Sequence, residues 1–178
     1  KSNKENNITV KYVALFTSLV NFFLSVYLWI LFDQSTSEFQ FVEDRIWIEG
    51  LINYKVGIDG ISILFIILTT FITPLCIISV NNSIKNRLRE FLIAVLVMES
   101  FMIGVFCSLD LVVFYLFFEA GLIPMFLIIG IWGGTRRVYS AFKFFLFTLL
   151  GSVLMLVAII SIYWITGTTD VIQLYELG

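Results

Sequence analysis

Histidine is absent from this 178-residue chain, and cysteine, proline and charge are all scarce. The two cysteines, Cys76 and Cys107, stand alone within apolar runs, without the paired spacing of metal-binding or redox motifs. Two separated cysteines and no histidine are too few ligands for a haem or an iron–sulfur cluster. We therefore expect the chain to bind no cofactor and no metal itself. Any redox chemistry would take place in a partner protein.

Charge is too sparse for an ordinary soluble domain. Charged residues make up 13% of the chain, about half the share in soluble domains. The net charge of −2 also gives no reason to expect a nucleic-acid partner. Hydrophobic residues make up 60% and occur in continuous runs, which predicts an integral membrane protein.

Five segments are long and apolar enough to cross a lipid bilayer. They are Tyr12–Phe32, Gly57–Val80, Phe91–Ser108, Leu111–Ile131 and Ala141–Ile165. We expect helices, because every backbone amide must be hydrogen-bonded internally in lipid and no alternating barrel pattern is present. The predicted fold class is an all-α membrane protein with five transmembrane helices. The whole of residues 1–178 would form one membrane domain.

The charges of the loops alternate in sign along the chain. The basic residues precede the first helix or lie in the second–third and fourth–fifth loops: Lys1, Lys4, Lys11, Lys85, Arg87, Arg89, Arg136 and Arg137. The other loops are mainly acidic: Asp33, Glu38, Glu43, Asp44, Glu49, Asp110, Asp170 and Glu176. Five spans put every basic loop on one side, which by the positive-inside rule is the cytoplasmic or matrix side. The long aromatic loop 33–56 would lie at the interface or cap the bundle.

Glu119 is the most informative residue, because it interrupts the apolar run Leu111–Ile131. It lies nine residues after Asp110, or ~13 Å at the helical rise, near the midplane of a ~30 Å hydrocarbon core. A carboxyl group there is costly and normally faces a bundle interior or a wet cavity. Glu119 is therefore a candidate proton-relay residue.

Glu99 and Lys143 are two further candidates. Glu99 lies at mid-depth in the preceding helix, and sequential helices tend to be neighbours, so the two carboxyls could raise each other's pKa. Alternatively, Glu99 is a structural acid bonded to a neighbour such as Ser100. Lys143 either pairs with one of the two glutamates or snorkels to the interface. Asp59 precedes the second helix and is expected to cap its first turn.

Three stretches together resemble chain 4 of NADH–ubiquinone oxidoreductase, respiratory complex I. They are Gly57-Ile-Asp-Gly-Ile-Ser62, the long stretch 105–134 that contains Phe117-Phe-Glu-Ala-Gly-Leu-Ile-Pro124, and Phe142-Lys-Phe-Phe-Leu-Phe-Thr-Leu-Leu-Gly-Ser152. The resemblance implies that Glu119, Glu99 and Lys143 act in a proton relay. It also implies an antiporter-like bundle of about fourteen helices, of which this chain is part.

The chain departs from that family at both ends. The family has a helix before the one that starts at Tyr12, and its later helices, including the lysine that pairs with the glutamate, have no counterpart here. We therefore expect a fragment, a partial proton-translocating domain that does not pump alone.

The resemblance implies a membrane-arm subunit that couples electron transfer from NADH to ubiquinone to proton translocation. NADH, FMN, iron–sulfur clusters and ubiquinone would be bound by other subunits, and the partners would be membrane-arm and peripheral-arm subunits of the complex and the lipid bilayer. The expected location is the mitochondrial inner membrane, or alternatively a bacterial plasma membrane. One rival hypothesis is a subunit of a multi-subunit sodium/proton antiporter. Another is a membrane-arm spacer whose carboxyls are only buried and hydrogen-bonded.

Overall fold

A computed structural model of the chain describes residues 2–48, 52–80, 84 and 86–177. Lys1, Glu49 and Lys85, three of the loop charges discussed above, lie outside the described residues. The helices are α1 Ser2–Leu31, α2 Ser62–Ser79, α3 Leu88–Cys107, α4 Leu111–Trp132, α5 Arg137–Thr166 and α6 Val171–Glu176. The strands are β1 Gln40–Ile48 and β2 Ile52–Ile58.

The five long helices confirm the prediction of five membrane spans. Each contains an apolar stretch of at least 18 residues: Ile8–Leu31, Ser62–Ser79, Leu88–Cys107, Leu111–Trp132 and Arg137–Thr166. Helices satisfy their own backbone amides, which lipid cannot do. The chain is therefore a multi-pass membrane protein.

The prediction of a loop over residues 33–56 was wrong. Much of this segment forms an antiparallel hairpin of β1 and β2, in which Asp44 lies opposite Lys55 and Arg45 opposite Tyr54. Aromatic and β-branched side chains in this segment favour strands, and cross-strand pairs of opposite charge stabilise them. The second span begins at Ser62 rather than Gly57, because Gly57 and Ile58 belong to β2.

The hairpin, the α3–α4 connection and the α5–α6 connection meet at one end of the bundle, the acidic end. The amide of Leu109 donates to the carbonyl of Lys55 at 2.9 Å, and the amide of Val171 donates to the carbonyl of Leu109 at 2.9 Å. A Cβ on Gly57 would lie 2.6 Å from Leu109 Cδ1, so only glycine allows this close approach without a shift. Three separate chain segments are thus joined at this end.

The opposite end carries the described basic residues outside the hairpin that precede or begin helices, such as Lys11, Arg89 and Arg137. Lys11 Nζ donates to the carbonyl of Ile78 at 3.3 Å, and Trp132 Nε1 donates to the carbonyl of Asn86 at 3.1 Å. The first turns of the α1 span therefore lie beside the end of α2, and the end of α4 lies beside the start of α3. This arrangement agrees with the alternation of loop charge along the sequence.

Helices α1, α2 and α3 pack against one another, α3 packs on α4, and α4 packs on α5. Phe126 of α4 contacts Phe142 and Phe145 of α5, with ring centroids 5.4 Å apart in both pairs. A Cβ on Gly130 would lie 3.5 Å from the Cβ of Ala141. The register of α4 against α5 follows from these contacts.

Candidate functional site

Glu119 lies in the ninth position of α4, far from either end of a helix that is apolar on all sides. Its side chain is half-buried, and its Oε2 atom is buried with no hydrogen-bond partner among the described residues. An unpaired carboxyl oxygen away from water is costly unless the group is protonated or finds another partner. The buried oxygen of Glu119 is therefore open to a hydrogen bond from a group outside the described residues.

Helical geometry places Glu119 on the side of α4 that faces away from α3. The α3-facing side includes Gly121, where an added Cβ would lie 3.8 Å from the Cβ of Phe101, and Phe117, whose ring approaches Gly104. At 100° per residue, both positions are about 160° around the helix from Glu119. Phe126, which contacts α5, is only about 20° away.

Two hydroxyl groups of α5 lie at the same depth as Glu119. The Phe126–Phe145 and Gly130–Ala141 contacts set an antiparallel register that places Glu119 opposite the turn containing Thr148 and Ser152. Both line a cavity of about 300 Å³ next to Phe118, and Ser152 is buried. Their hydroxyls donate to carbonyls of their own helix, which leaves oxygen lone pairs free to accept a proton donated from elsewhere.

Glu99 lies on the opposite side of α3 from α4. It is 2% exposed, and both carboxyl oxygens lack a hydrogen-bond partner among the described residues. It shares its helix face with Leu92 and Val95, which pack against α1 and α2. Asn21 of α1 is a polar neighbour of Glu99. It lies on the same face of α1 as Ala14, which packs against Leu92 and Val95 of α3. Ser100, the neighbour considered from the sequence, is exposed and donates instead to the carbonyl of Leu96.

The two glutamates are therefore separated by the α3–α4 interface. Phe101 and Gly104, which contact α4, are about 140–160° around α3 from Glu99. Because α3 and α4 follow each other in the chain, the sequence suggested that the two carboxyls are neighbours. In the structure, however, Glu99 faces α1 and Glu119 faces α5. A direct proton transfer between them does not fit this arrangement.

Lys143 is exposed on the outer side of α5. The α4-facing side of α5 carries Ala141, Phe145 and Ser152, which are about 160–180° around the helix from Lys143. Lys143 lines an outward groove of about 740 Å³ with Arg136, Tyr139, Ser140, Phe144 and Phe147. The structure does not bring Lys143 to either glutamate. The three predicted relay residues thus occupy three different places.

The acidic end contains a buried polar network that the sequence did not predict. Asp110 is 2% exposed; it accepts the amides of Val112 and Val113, and a hydrogen bond from the Thr169 hydroxyl at 2.6 Å. Lys55 Nζ lies 2.6 Å from Asp170 Oδ2, and both side chains are mostly buried. Asp110 and Asp170 cap α4 and α6, respectively.

Two carboxyls outside the spans have a shifted pKa. The Ser35 hydroxyl, followed by its amide, holds the pKa of Asp33 below its ordinary value. Partial burial raises the pKa of Asp59, but hydrogen bonds from Ser62 outweigh this effect and leave it lowered. The Ser62 amide donates to Asp59 Oδ1 at 2.6 Å, so Asp59 bonds the first turn of α2 as predicted.

Polar residues of α1 and α2 are the functional candidates that sequence reasoning missed. Ser18, Asn21 and Ser25 recur at the spacing that places side chains on one helix face, in line with the buried Ala14. That spacing was readable from the sequence. Among the described residues, no three histidine, cysteine or acidic side chains are grouped as a metal site would need.

Two family models match nearly the entire chain. The first, "NADH-ubiquinone oxidoreductase chain 4, amino terminus", matches residues 4–105. The second, "NADH:quinone oxidoreductase/Mrp antiporter, TM", matches residues 108–177. The first model alone covers more than half of the chain.

Named relatives agree with these matches. NADH-quinone oxidoreductase subunit M of Rhodobacter capsulatus is 60% identical over 164 residues, which are 92% of this chain and 32% of the relative. NADH-ubiquinone oxidoreductase chain 4 of Marchantia polymorpha is 51% identical over 163 residues, 90% of this chain and 33% of the relative.

A solved structure has the same fold. A chain of respiratory complex I from Thermus thermophilus with bound NADH superposes with a TM-score of 0.78 at 29% identity, over 90% of this chain and 33% of that one. The described part of the chain therefore has the fold of such a membrane subunit. The chain spans about a third of the length of the relatives that it matches.

Proposed function

Because the chain belongs to the family of NADH-ubiquinone oxidoreductase chain 4, we propose that it is a proton-translocating part of the membrane arm of that complex. Electron transfer from NADH to ubiquinone would drive proton movement through this subunit. Other subunits would bind NADH, FMN, iron–sulfur clusters and ubiquinone. The protein partners would be the other membrane-arm and peripheral-arm subunits.

The observation that carries this proposal is the buried oxygen of Glu119, far inside a membrane span, which has no partner in the described part of the chain. A carboxyl in that position can bind and release a proton when a nearby charge changes. The hydroxyl oxygens of Thr148 and Ser152 lie at its depth and can accept a hydrogen bond from the protonated acid. Water between these groups would complete the local path.

Glu119 also borders an open strip of α4. Leu116, Ile123 and Leu127 are exposed there, with Ile123 at 60%. These positions lie about 40–80° around the helix from Glu119, on the side turned away from α3. In the longer relatives, further helices would cover this strip. We propose that they supply the cationic partner of Glu119, because no cation of the described residues pairs with it.

Glu99 and Lys143 would act at separate points of the relay. Glu99 would exchange its proton within the α1–α3 interface. Lys143 would act at the basic end, where its groove also holds Arg136 and Tyr139. Water-mediated steps would connect these points, since no direct contact joins the three side chains.

The test is Glu119→Gln in the intact complex reconstituted in liposomes. We expect NADH-driven quinone reduction that is coupled to pumping to fall by at least about tenfold, because the amide cannot carry the proton. NADH oxidation by an artificial acceptor should continue. Glu90→Gln is the matched control, since Glu90 is an exposed glutamate at the start of α3, paired with Arg87. Equal coupling in the two variants would refute a relay role.

A sodium/proton antiporter subunit is the second candidate, because the family model for residues 108–177 names the Mrp antiporter as well. It would exchange sodium for protons without NADH. Radioactive sodium uptake driven by a pH gradient alone would favour it. Uptake that stays at the level of empty liposomes would favour the NADH-driven function.

We also propose the mitochondrial inner membrane as the location, with a bacterial plasma membrane as the alternative. A mitochondrial-type relative from Marchantia polymorpha supports the first, and the Rhodobacter capsulatus relative keeps the second open. Immunoblotting of purified mitochondria and their inner-membrane fraction would decide between them.

A further inference from the structure

The interface between α1, α2 and α3 is built in three layers. Towards the basic end lies an apolar cluster of Ala14, Ile77, Leu92 and Val95. Towards the acidic end lies a second apolar cluster of Ile58, Ile63 and Ile66. Between them is a group of polar side chains, here called the polar layer: Ser18, Asn21, Ser25, Thr70, Thr73 and Glu99.

The side chains of the polar layer are buried, except for that of Asn21, which is half-buried. Ser18 is 0% exposed, Thr70 1% and Glu99 2%. Groups of this kind are costly inside a membrane protein unless they bond one another or serve a function. Ser25 Oγ and Thr70 Oγ1 are 2.7 Å apart and bond each other, whereas Glu99 has no such partner among the described residues.

Most hydroxyl groups of the polar layer donate their proton in a hydrogen bond to a backbone carbonyl. Ser18 donates to Leu15, and Thr73 donates to Thr69, at 2.9 and 3.0 Å. A hydroxyl has only one proton, so its remaining lone pairs can only accept. The hydroxyls can therefore receive a hydrogen bond from a protonated Glu99, but in this arrangement they offer little to its anion.

Asn21 is the member of the polar layer that can hydrogen-bond Glu99 both as a protonated acid and as a carboxylate. Its amide carries two N–H donors and a carbonyl acceptor, and its side chain approaches Glu99 from α1. A carboxylic acid can donate to the amide oxygen, and a carboxylate can accept from the amide nitrogen. Rotation of the Asn21 amide turns either its oxygen or its nitrogen towards Glu99, without any movement of the helices.

We propose that Asn21 is a positioning residue that holds the Glu99 carboxyl in both protonation states, with the hydroxyls of the polar layer as further acceptors for the acid. This inference rests on the proposed function, because it assigns Glu99 a proton that it binds and releases. Polar side chains also hold membrane helices together without taking part in proton transfer. The experiment must therefore distinguish the positioning of Glu99 by Asn21 from the packing of the helices by the polar layer.

The test uses Asn21→Leu in the intact complex in liposomes. Leucine has a similar size but offers neither donor nor acceptor, so assembly should persist and NADH-driven proton pumping should fall by at least about tenfold. Asn21→Gln keeps the amide and should recover most of the pumping. Thr17→Val is the control, because Thr17 lies in the same helix, is exposed and bonds only the carbonyl of Val13 among the described residues.

The second readout is the infrared carbonyl band of protonated Glu99, identified by its loss in Glu99→Gln. Asn21→Leu should shift this band, and Thr17→Val should not. If Asn21→Leu pumps protons at a rate within about twofold of the parent, the inference is overturned, whether or not the infrared band shifts. Lost pumping with an unmoved band would also overturn it, since the layer would then only pack the helices.

Failure of this inference can be told from failure of the proposed function. If Glu119→Gln in the same preparation stops pumping while Asn21→Leu pumps normally, only the role of Asn21 fails. If Glu119→Gln pumps normally, the proposed relay itself fails.

Discussion

Replacing Lys55 by methionine should loosen the acidic end of the bundle. Lys55 Nζ lies 2.6 Å from Asp170 Oδ2, with side-chain exposures of 12% and 9%. Methionine leaves the Asp170 carboxylate buried without its cation, although Asp170 still accepts the Ile172 amide. Breaking a buried ion pair in this way costs about 3–5 kcal/mol.

The structure indicates where this loss will be measured. Three segments meet at this end, and the Leu109 amide donates to the carbonyl of Lys55 itself. If the hairpin separates from Leu109 when the ion pair is lost, the Leu109 amide becomes open to exchange. A loss of about 3–5 kcal/mol corresponds to hydrogen exchange faster by roughly 10²–10⁴-fold.

The assay is hydrogen–deuterium exchange with mass spectrometry on the purified complex, followed at peptides that cover Leu109. Arg45→Met is the matched control, because Arg45 is in the same hairpin and pairs with Glu43 through exposed side chains. Exposed pairs contribute about 0–1 kcal/mol, so this variant should exchange nearly as the parent does. Equal exchange rates for Lys55→Met and Arg45→Met would refute the reasoning.

Three other substitutions test further contacts of the chain. Gly104→Ala should destabilise the α3–α4 packing by about 1–3 kcal/mol, because its Cβ would lie 2.6 Å from the ring of Phe117. Gly151→Ala is the control, because a Cβ there would meet nothing within 4 Å among the described residues, so its stability should stay within about 0.5 kcal/mol of the parent. The two variants are compared by heating the complex and measuring the fraction of the chain that stays assembled. Asp110→Ala should cost about 1–2 kcal/mol by removing the cap of α4, and faster exchange of the Val112 and Val113 amides would report it. Unchanged exchange at those amides would show that the cap contributes little.

The five spans could be predicted because each is a long apolar run, and the bilayer leaves helices as the only form for such runs. The hairpin could not be predicted as easily. A short segment with aromatic residues and mixed charge fits a strand and an interfacial loop equally well, and its pairing depends on contacts with Leu109 far along the chain. The boundary at Gly57 failed for the same reason.

The depth of Glu119 and Glu99 could also be predicted, but their directions could not. Almost every residue of α4 is apolar, so the sequence contains no pattern that fixes its rotation about the helix axis. Packing decides it: Gly121 and Phe117 contact α3, which turns Glu119 towards α5. Lys143 is turned outwards because Ala141 and Ser152 occupy the other side of α5. By contrast, the spacing of Ser18, Asn21 and Ser25 in α1 was a readable signal.

The most direct measurement is the number of protons moved per NADH oxidised, compared between the parent complex and Glu119→Gln in sealed liposomes. We expect the variant to move fewer protons per NADH, or to stop both processes together, because Glu119 carries a proton in the coupled cycle. The same proton-to-NADH ratio at an undiminished turnover rate would contradict the proposal that this chain translocates protons through Glu119.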